Sequence, residues 1–118
     1  MLRVMVVDDS LFMRNRLSKL LTGHGYETIT AENGEQAVRH YRRNRPDAVL
    51  MDIAMPLKDG LQALTEIREF DTRAIVIMLT ALNQELAAAR AIHLGAKDFL
   101  TKPAAPNLVL ITLRNALR

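Results

Sequence analysis

Two rhythms of apolar and polar positions alternate along this chain. Unbroken apolar runs, Val4-Met5-Val6-Val7, Ala48–Met51 and Ile75–Leu79, are separated by stretches in which apolar residues recur at helical spacing. A run that is apolar at every position suits a strand covered on both faces. Met13, Leu17, Leu20 and Leu21 mark one face of a first helix, with Ser10 placed to cap it and Gly23 and Gly25 to stop it. Glu27–Ala31 alternates, as a strand near a sheet edge does. Asn33-Gly34 predicts a turn, and Ala37, Val38 and Tyr41 a second helix that ends at Pro46. Met55-Pro56 and Asp59-Gly60 punctuate the loop after the second buried run, and Leu61, Leu64 and Ile67 predict a third helix. Asn83 is placed to cap a fourth helix that runs to about His93 and stops at Gly95. Asp98–Thr101 reads as a short last strand, and Pro106 fits the first turn of a fifth helix.

Five strand–helix units in strict alternation predict an α/β fold, a doubly wound five-stranded parallel sheet with five helices on its two faces and right-handed crossovers. In such sheets a site forms beyond the carboxyl ends of the strands, where strand order reverses. Asp8-Asp9, Asp52, Thr80 and Lys102 all fall at that end of their strands. A length of 118 residues predicts a single domain over residues 1–118, and 49% apolar residues suffice for one core. With no cysteine, disulfides, thiolate metal sites and cysteine nucleophiles are excluded. The apolar runs are too short to cross a bilayer. No basic-then-apolar leader precedes the first strand, so a cytoplasmic protein with no membrane partner is expected. The formal charge is +3, and Arg39, Arg42, Arg43 and Arg45 cluster. The cluster suits either an anionic partner or a solvated helix end favoured by the helix dipole. No nucleic-acid-binding motif accompanies it, so the solvated end is the reading adopted.

The strand-end residues carry the chemistry. Three neighbouring carboxylates repel one another and raise each other's pKa, and a hard divalent cation with oxygen ligands relieves that repulsion. A hydroxyl and an ammonium complete what metal-assisted phosphoryl transfer requires. Taken singly, Asp8-Asp9 could cap a helix, Thr80 could be an ordinary strand-end threonine and Lys102 a surface lysine. Together, at one end of one sheet, they point to a site.

The stretches Val6-Val7-Asp8-Asp9-Ser10, Met51-Asp52-Ile53-Ala54-Met55-Pro56 with Asp59-Gly60, Leu79-Thr80-Ala81 and Lys102-Pro103 resemble the receiver domain of two-component response regulators, of the chemotaxis-receiver kind. The resemblance implies a flavodoxin-like receiver fold with strand order 2-1-3-4-5, an order that comes with the family and not from the periodicity. It implies that Asp52 accepts a phosphoryl group from a sensor histidine kinase or phosphotransfer protein. Asp9, Asp52 and the backbone carbonyl of Ala54 would ligate magnesium, with Asp8 in support, and Thr80 and Lys102 would meet phosphoryl oxygens. The family carries a cis bond before the proline matched by Pro103. Phe99 matches the switch aromatic that turns inward when Thr80 moves toward the phosphoryl group, and it is expected to sit inward for much of the time. A plain core phenylalanine is the alternative.

Output in the family runs through the fourth helix, last strand and fifth helix to an effector domain, another partner or a second receiver. Leu108 and Ile111 lie at the flank of the fifth helix's core stripe and suit that surface, and nucleic acid would be reached only through a separate effector domain. Phe12, beside Asp9, suits a phosphodonor protein. Such a domain catalyses only its own phosphorylation and slow dephosphorylation and is not a metabolic enzyme.

Four positions depart from the family pattern. Ala54 and Leu82 flank the path of attacking water with apolar side chains, which implies slow loss of the phosphoryl group. Lys58 stands where an apolar residue is common and is expected at the pocket rim, and Ala104 stands where the family often has Phe. Rival functions are weaker. A haloacid-dehalogenase-type phosphatase needs a general acid two residues after its nucleophile, where Ala54 stands. A flavodoxin-like cofactor binder wants a glycine- and hydroxyl-rich loop where Asp8-Asp9 would repel phosphate. A degenerate receiver that binds partners without phosphorylation would not need the intact Asp52, Thr80 and Lys102 set.

Overall fold

The three runs that are apolar throughout form the middle of one sheet. In the computed structural model, which describes residues 1–118, β1 (Arg3–Val7), β3 (Ala48–Asp52) and β4 (Val76–Thr80) lie side by side, flanked by β2 (Glu27–Ala31) and β5 (Asp98–Thr101). All four pairings are parallel and the order is β2-β1-β3-β4-β5. Burial follows position: β3 and β4 are buried at every residue, whereas the edge strands β2 and β5 are mostly accessible.

Five helices cover the sheet: α1 (Leu11–Thr22), α2 (Gly34–Asn44), α3 (Gly60–Phe70), α4 (Glu85–His93) and α5 (Pro106–Ala116). Alternate strand residues point to opposite faces, which divides the core in two. Met5, Val7, Val49, Met51, Val76 and Met78 pack against α2, α3 and α4. Val4, Val6, Leu50, Ile77, Leu79 and Leu100 pack against α1 and α5.

Local signals start most of the helices. Ser10 Oγ accepts from Met13 N at 3.3 Å, and Asn33 Oδ1 accepts from Gln36 N at 2.9 Å. Asp59 and Gln62 cap α3 reciprocally, each side chain accepting from the other's backbone N–H. The fourth helix departs from expectation. Asn83 does not cap it; the cap position is Gln84, which makes no capping bond. The Gln84 side chain instead accepts from Ala81 N at 2.7 Å, so it closes the turn after β4 and leaves the first turn of α4 without a side-chain cap.

Two glycines allow close approaches that shape the loop after β3. A Cβ on Gly60 would lie 2.2 Å from the Asp52 carbonyl oxygen, so only glycine lets α3 begin directly behind that residue. Gly34 N donates to the Lys58 carbonyl at 2.9 Å, which ties the same loop to the start of α2. At the opposite end of the molecule α2 and α3 are joined by Tyr41, whose hydroxyl donates to Asp71 Oδ2 at 2.7 Å. Arg42 and Arg45 stack on Phe70 at 4.4 and 5.3 Å from the ring centre. Arg45 also pairs with Asp71 at 3.3 Å. Two members of the arginine cluster are thus engaged in joining helices, which agrees with the helix-end reading. No helix is long and apolar enough to cross a membrane.

Candidate functional site

β1 ends in Val7 and hands the chain to Asp8 and Asp9, while β3 ends in Asp52 one strand over. Parallel pairing brings these ends together: carboxylate oxygens of Asp8, Asp9 and Asp52 all lie within 4.8 Å of one another. Asp8 is 1% exposed and Asp52 7%, whereas Asp9 is open to solvent. Lys102, just beyond β5, reaches across the sheet end to place Nζ 2.9 Å from Asp8 Oδ2 and 3.2 Å from Asp52 Oδ1. Asp8 Oδ1 also accepts from Ser10 N at 2.9 Å. The Lys102–Pro103 peptide is cis, and Lys102 N donates to the Thr80 carbonyl at 2.6 Å. Thr80, at the end of β4, is buried, and its hydroxyl donates to the Leu100 carbonyl over a long 3.4 Å.

The electrostatics follow from this crowding. Burial raises the Asp52 pKa above the usual carboxylate value; the Lys102 charge opposes that, and the charges of Asp8 and Asp9 reinforce it. Burial also disfavours the Lys102 ammonium, but hydrogen bonds and charges from Asp8 and Asp52 outweigh it and hold the lysine pKa above its ordinary value. One ammonium therefore contacts two carboxylates of a cluster of three. The donors are all oxygen, partly buried and open on the Asp9 side, which fits a hard divalent cation that keeps some of its water. The acidic cluster fits a magnesium and phosphorylation site, with Asp8, Asp9 and Asp52 as the groups that would hold the ion.

Every residue expected at the strand ends is brought together, and Ala54 lies exposed on the loop directly after β3. Two expectations about direction need correction, those for Phe99 and Lys58. Phe99 is not inward: it is 41% exposed, because β5 is an edge strand with no neighbour beyond it to cover the ring. Lys58 does not add its charge to the pocket, since Nζ pairs with Glu66 Oε2 at 2.5 Å on α3. Ala104 leaves space: with Met13, Leu17, Leu20 and Val109 it lines a cavity of about 70 Å³ between α1 and α5. Leu108 and Ile111 are exposed, as expected for residues outside the core stripe of Val109, Leu113 and Ala116, and Phe12 is exposed on α1. A residue not singled out from the sequence is Arg14, buried beneath Asp8. Its spacing of three and seven from Leu17 and Leu21 placed it on the core face of α1, but an arginine there reads as solvent-facing until its partner is known.

A doubly wound sheet whose central carboxyl ends present three clustered carboxylates, two of them bridged by one lysine, is the arrangement expected of a receiver-type signalling domain. The chain belongs to the family described as "Response regulator receiver domain", which matches residues 4–114. Among its relatives is the chemotaxis protein CheY of Bacillus subtilis, 43% identical over 116 residues and covering 98% of this chain and 97% of that one. Protein CcdB of Bacillus subtilis is 49% identical over 104 residues, 87% of each chain. A solved CheX-CheY-BeF3-Mg+2 complex from Borrelia burgdorferi superimposes with a TM-score of 0.94 at 38% identity, covering 99% of this chain and 90% of that one.

Proposed function

We propose that this chain acts as one phosphorylation-operated receiver unit in the cytoplasm, with Asp52 as the phosphoacceptor. The observation that carries the reading is Lys102 bridging Asp8 and Asp52 while the oxygens of Asp8, Asp9 and Asp52 stay within 4.8 Å. One oxygen of Asp52 forms a bond to phosphorus as the P–N bond of a donor phosphohistidine breaks, and the electron pair leaves with the imidazole nitrogen. Asp8, Asp9, Asp52 and the Ala54 carbonyl would hold magnesium, which supplies charge neutralisation at the phosphoryl oxygens when bound. Lys102 gives up one of its two carboxylate partners to meet a phosphoryl oxygen, and Asp8 retains it close by.

Thr80 is the second responding group. Its 3.4 Å bond to Leu100 is long enough to exchange for a stronger bond to a phosphoryl oxygen. That exchange frees space beside β5, and Phe99 turns inward to fill it. The outward Phe99 and the Leu100-bonded Thr80 fit the unmodified end of this coupling. The partners on this reading are a sensor histidine kinase or phosphotransfer protein, and a downstream protein, effector domain or second receiver. The downstream partner would meet α4, β5 and α5, where Leu86, Phe99, Leu108 and Ile111 are exposed. The charge on Asp52 biases two existing states of that face. Apart from its own phosphorylation and slow dephosphorylation, the domain catalyses no reaction.

The test is incubation with acetyl phosphate and magnesium, followed by intact-mass measurement. Wild type is expected to gain one phosphoryl group, and Asp52→Asn or metal-free protein none. An adduct that persists in Asp52→Asn, or its absence from wild type, removes the reading.

A further inference from the structure

Apart from Asp8 and Asp52, Arg14 is the only buried charged residue, 8% exposed. Its Nη1 donates to the backbone carbonyl of Asp8 at 2.7 Å, and its Nη2 lies 3.6 Å from Glu32 Oε1 at the β2–α2 junction. Burying a guanidinium is costly unless its charge and hydrogen bonds are engaged, so this contact is a deliberate feature of the β1–α1 turn. The Asp8 carboxylate is held from other directions, by Ser10 N and by Lys102. The Asp9 carboxylate has no such support: no protein donor or cation contacts it. Its direction therefore follows the Asp8–Asp9 peptide, and Arg14 is the side chain bonded to the carbonyl of that peptide.

We propose that Arg14 is a positioning residue for the divalent cation, fixing the Asp8–Asp9 peptide so that Asp9 presents its carboxylate beside Asp52. This rests on the magnesium reading of the site given above. Two effects of the same side chain oppose each other. As a positive charge close to the acidic cluster, Arg14 repels a cation, and its removal alone would tighten binding. As the anchor of the peptide that carries Asp9, it favours the ion, and its removal weakens binding. Groups behind metal ligands commonly change affinity by about 10- to 100-fold, whereas the charge of Arg14 is partly offset by the Glu32 carboxylate 3.6 Å away. Positioning is therefore the larger effect, and the sign of the change separates the two roles.

The experiment is magnesium titration of the whole chain by calorimetry, with circular-dichroism melts to verify folding. Arg14→Gln is expected to weaken binding about tenfold. Arg14→Lys, which keeps the charge but loses the planar fork that bonds the carbonyl, is expected to weaken it too. Glu32→Gln, which removes an exposed partner and leaves the Asp8 bond intact, should stay within about twofold. In amide NMR spectra the Asp9 signal should move in both Arg14 variants before any metal is added. Tighter binding in Arg14→Gln with no change in Arg14→Lys would assign a charge role, and unchanged affinity in both would assign a scaffold role; either overturns the proposal. Should the glutamine variant not fold, the lysine variant decides. Wild type that binds no magnesium would remove the site reading itself, a result distinct from any of these.

Discussion

On the proposed reading Asp52 is held between two demands: it would have to be ionised to attack phosphorus, and it is buried beside two other carboxylates. Its folded pKa lies above the ordinary carboxylate value, with burial as the largest cause. The stability this residue contributes is therefore complete below the unfolded pKa, about 3.9, and is lost as pH rises through the folded value. At neutral pH its ionised form works against the fold. In chelator, Asp52→Asn should accordingly melt at a higher temperature than wild type, and a lower melting temperature would contradict the balance of charges described. Magnesium at one hundred times its Kd should then stabilise wild type by about 2.7 kcal/mol and the variant by much less. On the same reading, dephosphorylation would turn on neighbouring residues. Leu82 is 73% exposed and offers no group to orient water, and neither does Ala54. Leu82→Glu at so accessible a position should leave the fold intact and speed the decay of the phosphorylated form several-fold. Equal or slower decay, followed by mass against time, would show that the missing polar group does not limit hydrolysis.

Among the elements, α2 and α3 show how helix ends far from the site are secured. The Tyr41 hydroxyl spans from α2 to Asp71, the residue that ends α3, and its hydrogen bond is the largest cause of the lowered Asp71 pKa. Burial, reinforced by the same carboxylate, pushes the Tyr41 phenol well above its usual range, so only Asp71 titrates in acid. A lowered carboxylate pKa contributes stability that is present above the unfolded value and lost as pH falls through the folded one. Tyr41→Phe should therefore cost about 1 kcal/mol at neutral pH, a figure reduced for the partial exposure of Asp71. It should also flatten the loss of stability below about pH 4. Urea unfolding of both proteins at pH 7 and pH 3 checks this, and an unchanged difference between the two pH values would count against the ion–dipole link. The start of α1 was legible in sequence, where Ser10 bonds its own first turn, whereas Asn33 read only as part of a turn although its side chain caps α2. The start of α4 was not legible, because Asn83 and Gln84 compete there and the turn after β4 engages the glutamine.

On the scale of the whole molecule, α5 has one face in the core and another in solvent. Leu113 is fully buried and Ile111 is 52% exposed. Leu113→Ala should cost about 3 kcal/mol, and Ile111→Ala should change stability by no more than about 0.5 kcal/mol. Denaturant midpoints distinguish them, and a large loss for Ile111→Ala would mean that this face packs within the chain. If Ile111 belongs to the signalling surface, its loss shows in partner binding and not in stability.

The amino-acid sequence by itself determined the alternation of buried strands and helices, because central parallel strands are apolar at every position and helices repeat near 3.6 residues. It also determined which polar groups lie at strand ends, since Asp8-Asp9, Asp52 and Thr80 each close an apolar run and Lys102 follows the short last strand. Directions of side chains were decided only by packing. Phe99 faces outward because its strand is at the edge of the sheet, Lys58 turns to Glu66 because α3 presents a carboxylate within reach, and Arg14 turns inward because a carbonyl of the β1–α1 turn lies there. Periodicity encodes which face of an element is covered. Which neighbour covers it, and which charge it meets, exists only once strands distant in sequence lie side by side.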